Sequence, residues 1–396
     1  MMDVADILRP RDAADLCAAV TDAAVAGTRL AIRGGGSKDG VGDRVRGVVR
    51  LDMTGFTGIV DYDPAELVLT VRAGTPLAEV EALVAGEGQM LAFEPFDHSP
   101  LFGRPRGAAT IGGVVAAGVA GSQRVSSGSA RDHLLGFTAV SGRGELLVAG
   151  ARVVKNVTGY DLPKLAAGSW GRLFAMTELT LKVLPCPRVR ATRRVEGLAP
   201  DEAVKVMAAA MGSQAEVAAA AHIPGAERGG RSVTALRIQG FGPSVTARCA
   251  MIETLLGRHG RVEAPDDATA DALWAAVRDL APLPQDGPLW RVNVPPSGAP
   301  IILAAIEPSG AQWLLDWAGG LVWTTFGGDA AALRAAAAQA GGHAKLVRSG
   351  PGYGEGVPVF HPATPGVAAL EARIRRAFDP FGLFETGRFR DTYHAD

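Results

Sequence analysis

The chain has 396 residues, with 40 lysines and arginines set against 41 aspartates and glutamates. That length provides for two domains, each with a core of its own, and the balanced charge excludes the basic excess of a nucleic-acid binder. The sequence is 47% apolar, but much of this is alanine, and no stretch of about 18 residues free of charges and turn signals reads as a membrane span.

Met1–Pro10 carries acids early and lacks the apolar centre of a signal peptide, which predicts a cytoplasmic protein. Cys17, Cys186 and Cys249 lie far apart without a C-x-x-C pair, so they read as reduced thiols, and no metal site is expected. Glycine is the stronger signal: 51 residues, clustered in the first 171.

In chain order, Arg11–Ala26 reads as a helix capped by Asp12, with Leu16, Val20 and Ala23 on one face. Thr28–Arg33 reads as a strand running into Gly34-Gly35-Gly36-Ser37-Lys38-Asp39-Gly40. A dinucleotide fold of the Rossmann type is rejected here, because its glycine loop must open an apolar-periodic helix and 39–47 is polar and aperiodic. Three consecutive glycines still suit a nest of N–H groups for a phosphate.

Short strands follow at 48–52, 58–61 and 67–72, then a helix from Thr75-Pro76 to about Ala85. Residues 91–105 read as a loop. Ala109–Gly121 has helical length with almost no side-chain bulk, which suits either tight helix packing or a pyrophosphate lying on the N–H groups of Thr110–Gly113. A hairpin spans 134–148. Next comes Val153–Gly171, a polar turn (Lys155, Asn156, Gly159) and a one-turn helix with Asp161 as N-cap and Pro163 just inside. A strand over 176–184 ends at Pro185-Cys186-Pro187, the expected domain boundary.

Beyond it, helices at 200–211, 244–259 and 267–280 and an alanine-rich one at 330–340 alternate with strands at 233–238, 289–294, 321–325 and 343–347. One antiparallel sheet covered by helices is the simplest α+β arrangement, and the sequence shows no internal repeat. A last helix at 367–378 precedes Asp379–Phe389. The expected division is 1–186, 187–350 and a segment 351–396 that returns to the first domain.

Four segments, Arg33–Ser37, Thr110–Gly121, Gly128–Asp132 and Lys155–Gly171, together resemble the FAD-binding domain of the vanillyl-alcohol oxidase / p-cresol methylhydroxylase superfamily over roughly residues 10–185. V-K-N-V-T-G-Y-D-L-P-K-L, L-W-R-V-N-V-P-P at Leu289–Pro296 and the tail Phe378–Arg388 resemble more narrowly the FAD-binding subunits of bacterial glycolate oxidases. The resemblance implies an α+β fold, with a two-subdomain FAD domain, an α+β cap built on an antiparallel sheet, and a C-terminal segment returning to the flavin domain.

It also implies that Arg33, Gly34, Gly35, Gly36 and Ser37 hold the pyrophosphate, and that Thr110, Ile111, Gly112, Gly113 and Gly118 line the cofactor from the other side. Asn156, Gly159, Tyr160 and Asp161 would lie near it, with Met176 and Glu178 toward the adenine. Many relatives attach FAD through a His at the position of Ser37, so the flavin is expected to be non-covalent. The tail reads Glu385-Thr386-Gly387-Arg388 in place of N-P-G-R/K, which sets aside ring contacts from Glu385 and Thr386.

Oxidation of a 2-hydroxy acid needs a cation for the carboxylate and a base for the hydroxyl proton, while the cofactor supplies the redox chemistry. Arg291 is the candidate clamp and His343 the candidate base. Lys155 or Arg388 is the candidate cation beside the flavin. The His-rich cap motif of catalytic relatives is missing, and Trp313, Trp317 and Trp323 read as core or subunit contact.

The resemblance implies partners: a larger FAD-containing sister subunit and an iron–sulfur subunit of a glycolate oxidase complex, held at most peripherally on the inner face of the plasma membrane. Two other readings stay open, an FAD-binding relay or assembly subunit without substrate oxidation, and a stand-alone sugar or aldonolactone oxidase.

Overall fold

The computed structural model describes residues 7–151, 160–225, 230–354 and 356–390. The chain divides into two compact units. The first holds residues up to Ala120, Gly128–Cys186 and Pro362 onward; the second holds Gly121–Ser127 and Pro187–His361. The chain passes from the first unit to the second between Cys186 and Pro187. Two details differ from the expected division: Gly121–Ser127 belongs with the second unit, and the return begins at Pro362, not at 351.

The first unit has two sheets. In the smaller, Ile7–Leu8, Val49–Asp52 and Leu30–Arg33 run parallel in that order. Parallel neighbours need a crossover of a dozen or more residues. Here residues 34–48 provide it without a helix, leaving a long loop beside the sheet end. The helix Ala13–Ala26 covers this sheet; Asp12 accepts from the Asp15 N–H, and Leu16 and Val20 are buried among Leu30, Leu51 and Phe56. The larger sheet is antiparallel, ordered Ile59–Asp63, Val68–Arg72, Phe174–Lys182, Leu134–Ser141, Leu146–Gly150. The returning tail closes the smaller core with Leu383 and Phe384, and the Leu383 carbonyl accepts from the Leu30 N–H at 2.7 Å.

The second unit is built on one eight-stranded antiparallel sheet, and its topology repeats. Val189–Glu196, Pro200–Met211, Ala219–Ile223, Val233–Gly240, Gly242–Leu256 and Val262–Glu263 form a βαββαβ half. Leu289–Asn293, Ala299–Ile306, Gln312–Asp316, Leu321–Thr325, Ala330–Gln339 and His343–Arg348 form another with mirrored strand order. Ala219–Ile223 and Gln312–Asp316 join them, paired at His222 and Leu315. The repeat lies in the topology, which is why a sequence without self-similarity did not betray it.

The four helices of these halves bury Val204, Met207, Ile252, Ile302 and Leu333 on one face of the sheet with Trp290, Val292, Val322, Ala344 and Leu346. Since strand side chains alternate, Arg291, Trp323, His343 and Lys345 stand on the opposite face. That register places the candidate residues of the cap side by side.

Candidate FAD site and anion site

A cleft in the first unit is lined by the glycine turn, the short helix Ile111–Ala117, Met53, Ala73, Trp170, Gly171, Phe174, Met176 and Arg388. Arg33 fixes the turn: its guanidinium donates to both carboxylate oxygens of Asp39 at 2.8–3.2 Å. Arg104 lies 3.7 Å from the same carboxylate.

Gly35 packs so closely on the Ala108 carbonyl that a Cβ would overlap it, and Gly36 has φ 86°, a conformation open chiefly to glycine. Among the described residues no acceptor serves the backbone N–H groups of Gly34, Gly35, Gly36, Ser37 or Lys38. Five successive unsatisfied donors on one turn form an anion nest. The diphosphate of FAD fits this donor set, and the tight glycines leave room for it.

The opposite wall behaves differently from one of the two sequence expectations. Thr110 caps the helix Ile111–Ala117, and its hydroxyl accepts from the Gly113 N–H at 3.3 Å. The Ile111 N–H goes to the Thr75 carbonyl at 3.0 Å and that of Gly112 to the Ala73 carbonyl at 2.8 Å. These donors are therefore engaged inside the protein and do not bind a pyrophosphate. Gly112 instead serves close packing, since a Cβ there would stand 2.7 Å from that of Ala73.

Of the sequence candidates, Arg33, Gly34, Gly35, Gly36, Ser37, Thr110, Gly112, Gly113, Met176 and Arg388 line the cleft. Ile111 is wholly buried, Gly118 ends its helix with φ 63°, and Glu178 sits on its strand opposite Arg72 and Thr138. Tyr160 is 91% exposed. Asp161 caps Leu162–Ala166 as expected and pairs with Lys164 at 2.7 Å. Asn156 and Gly159, with Lys155, lie outside the described residues.

The tail is stitched to the turn. Arg388 donates to the carbonyls of Val41, at 2.8 Å, and Lys38, while its own carbonyl accepts from the Asp43 N–H at 2.8 Å. Burial lowers the Arg388 guanidinium below its ordinary value, with Asp39 opposing and Arg33 adding to the shift. Glu385 is held as an ion-pair residue, accepting from Arg172 at 2.8–3.2 Å and Arg375 at 3.2 Å. Lys38 and Asp39 also line the cleft and were missed, because nothing in a polar loop marks which side chains turn inward.

In the second unit Arg291 lies between Trp323 and Lys345 across the strands. Its guanidinium carbon is 4.9 Å from the Trp317 ring centre, while that of Arg124 is 4.5 Å from the same ring. Trp317 was expected to be core; it is buried, and it also bears these two stacked cations. It is anchored by its indole N–H on the Gly121 carbonyl at 2.9 Å and by its backbone N–H on Asp316 at 2.7 Å, and Asp316 also accepts from Ser122 at 2.8 Å.

Trp317 and Ala318 both hold positive φ, 53° and 56°, a strained geometry typical of functional sites. Among the described residues Arg291 has no hydrogen bond or ion pair. Burial pushes it down to about 10, Arg124 adds to this, and Asp316 opposes it. His343 sits at the exposed start of its strand; desolvation, then Arg291, His361, Lys345 and Arg124, hold it below the usual imidazole value. This cation cluster is the candidate anion site of the second unit.

The first unit has the constitution of a dinucleotide-flavin domain, a parallel and an antiparallel sheet with a donor-rich glycine turn beside them. A family model described as an FAD binding domain matches residues 4–150. The chain is 35% identical over 363 residues to the glycolate oxidase subunit GlcE of Escherichia coli (strain K12), covering 91% of this chain and 92% of that one. It is also 35% identical over 144 residues to a D-lactate dehydrogenase of Anaerostipes hadrus, covering 36% of this chain and 28% of that one. An alkyldihydroxyacetonephosphate synthase structure superposes with a TM-score of 0.65 at 15% identity, covering 95% of this chain and 76% of that one, a likeness of fold. The chain belongs to the FAD-linked oxidoreductases, in the family of GlcE. Its cofactor is FAD.

Proposed function

We propose that this chain is the FAD-binding subunit of a glycolate or related 2-hydroxy acid oxidase, passing electrons from substrate through the flavin to partner subunits. The observation that carries the reading is Arg291, a desolvated cation that makes no hydrogen bond or ion pair among the described residues, stacked on Trp317 beside a second arginine. Such a residue is stabilised by an anionic ligand, and a 2-hydroxy carboxylate supplies the charge.

FAD accepts the hydride when bound; the protein's part is to hold and orient. The turn 33–37 takes the diphosphate, and Arg388 supplies positive charge in the same cleft. Ser37 offers no imidazole for a covalent link, so the flavin is held non-covalently. Arg291 binds the carboxylate, with Arg124 adding field. His343, held below the usual imidazole value by its surroundings, is the candidate acceptor of the hydroxyl proton. The likeness to GlcE, named as a subunit, and to the glycolate oxidase subunit GlcD of Bacillus subtilis (31% identical over 134 residues) supports a multi-subunit setting. A larger flavin-bearing sister and an iron–sulfur subunit are the partners of this reading. Among the described residues no helix is long and apolar enough to cross a membrane, which suits a cytoplasmic subunit attached to a membrane only through those partners.

One observation favours the relay or assembly reading: among the described residues no hydrogen bond orients His343. Anaerobic titration of the isolated chain with glycolate and D-lactate separates the two. Bleaching of the flavin absorbance places oxidation on this chain. Bleaching only after partner subunits are added assigns it to relay.

A further inference from the structure

Among the described residues, Lys38 is a cation of the flavin cleft with no carboxylate in ion-pair contact. Arg33 is neutralised by Asp39, and Arg388 is engaged by two backbone carbonyls. Lys38 is 8% exposed and lines the cleft, and its ammonium has one polar neighbour, the Ser37 hydroxyl at 3.3 Å.

The charged groups around it come from three segments. Asp97, in the loop before Thr110, attracts it; Arg388, from the returning tail, repels it; Arg33 and Asp39 flank it on its own stretch of chain, and Arg104, from the loop of Asp97, pairs with Asp39. Asp97 does not bond to it, because both carboxylate oxygens are occupied by Ser99 and the N–H groups of Gly107, Ala108 and Ala109. A buried ammonium so placed is costly unless an anion joins it. Lys38 is the last residue of the row, Gly34 to Lys38, whose N–H groups are free among the described residues, and it lines the same cleft.

We propose that Lys38 is the counter-charge of the cofactor's diphosphate, and that loading the cofactor fixes a proton on Lys38. The inference rests on the reading of the cleft as the FAD site. Burial brings the free ammonium down to about 8, and an adjacent dianion raises it again. Above about pH 8 the free chain is therefore increasingly neutral at Lys38, and binding must draw the proton from solution. Affinity then falls as pH rises, with a limiting slope of one proton.

The test is calorimetric titration of the flavin-stripped full chain with FAD and with ADP, which shares the diphosphate and lacks the flavin, from pH 6.5 to 9.5. In buffers of different ionisation enthalpy, the wild-type chain should take up a fraction of a proton for either ligand near pH 8.5. Lys38→Met should bind both about 10- to 100-fold more weakly at pH 7 and show no uptake. Lys38→Arg should restore affinity without the pH dependence. Equal affinity and equal uptake in Lys38→Met overturn the proposal, as does weakening of FAD alone, which would move the charge to the flavin ring. Absence of proton uptake in the wild-type chain overturns it even if the methionine variant does not fold. Failure of the wild-type chain to bind either ligand is a different result, and it would overturn the cofactor site itself.

Discussion

Asp97 fastens the loop that leads into Thr110 and backs Gly35 of the flavin cleft with the Ala108 carbonyl, and its removal is expected to be costly for a countable reason. Its carboxylate accepts five hydrogen bonds: from Ser99 N and Oγ at 2.8 and 2.7 Å, and from the N–H groups of Gly107, Ala108 and Ala109 at 2.8, 3.1 and 3.2 Å. Burial alone would raise its pKa, but the Ser99, Gly107 and Ala109 hydrogen bonds outweigh it and hold the carboxyl below the ordinary value. In Asp97→Ala, water can reach Gly107 and Ala108, which are not buried, whereas Ser99 and Ala109 are. Three donors are thus left unsatisfied in the interior, at about 1–3 kcal/mol each and less than additive, giving about 3–5 kcal/mol.

Asp97→Asn keeps the shape and one acceptor, so it should lose roughly half as much. Because the folded carboxyl lies below its unfolded value, this stability is full above the ordinary carboxylate range and is lost as pH falls through the folded value. The gap between wild type and Asp97→Asn should close there. Trp170 is the one tryptophan of the first unit among six. The ¹⁹F signal of fluorotryptophan-labelled chain in urea therefore reports this unit separately. A loss under about 1 kcal/mol in Asp97→Ala, with FAD affinity unchanged, would refute the account of the loop.

Gly35→Ala brings a methyl group against the Ala108 carbonyl; the purified variant should lack the flavin bands near 370 and 450 nm, on the order of which oxidised flavin absorbs, while its second unit melts as in wild type. Arg291→Met should raise KM for a 2-hydroxy acid about 10- to 1,000-fold and leave flavin content unchanged, with Arg291→Lys intermediate; steady-state kinetics of the assembled enzyme would show it. Trp290 is fully buried, with its indole N–H on the Phe326 carbonyl at 3.1 Å. Trp290→Ala should destabilise the second unit by about 3–5 kcal/mol in denaturant titration and spare the Trp170 signal.

Local chemistry was readable from the sequence because it depends on neighbours along the chain. Asp12 and Asp161 as caps, the Gly34–Gly36 turn after a strand, and the break at Pro185-Cys186-Pro187 are settled by backbone geometry and short-range hydrogen bonds. The strand that carries Arg291 was also read from its local pattern. The motifs of the first 171 residues were specific enough to carry the family and its cofactor.

What the tertiary structure decided is where the groups go once distant segments meet. The sequence could not tell that the Ile111 and Gly112 N–H groups serve Thr75 and Ala73, because those carbonyls lie more than 30 residues away along the chain. Nor could it place Lys38 inside the cleft, or bring Arg124 over Trp317 across nearly two hundred positions. The doubled βαββαβ unit was equally hidden, since strand order is fixed by pairing and packing while the side chains of the two halves satisfy different cores. Sequence sets the propensities and the donors; which donors remain free for a ligand is a property of the folded chain, because only folding determines which of them are satisfied within the protein.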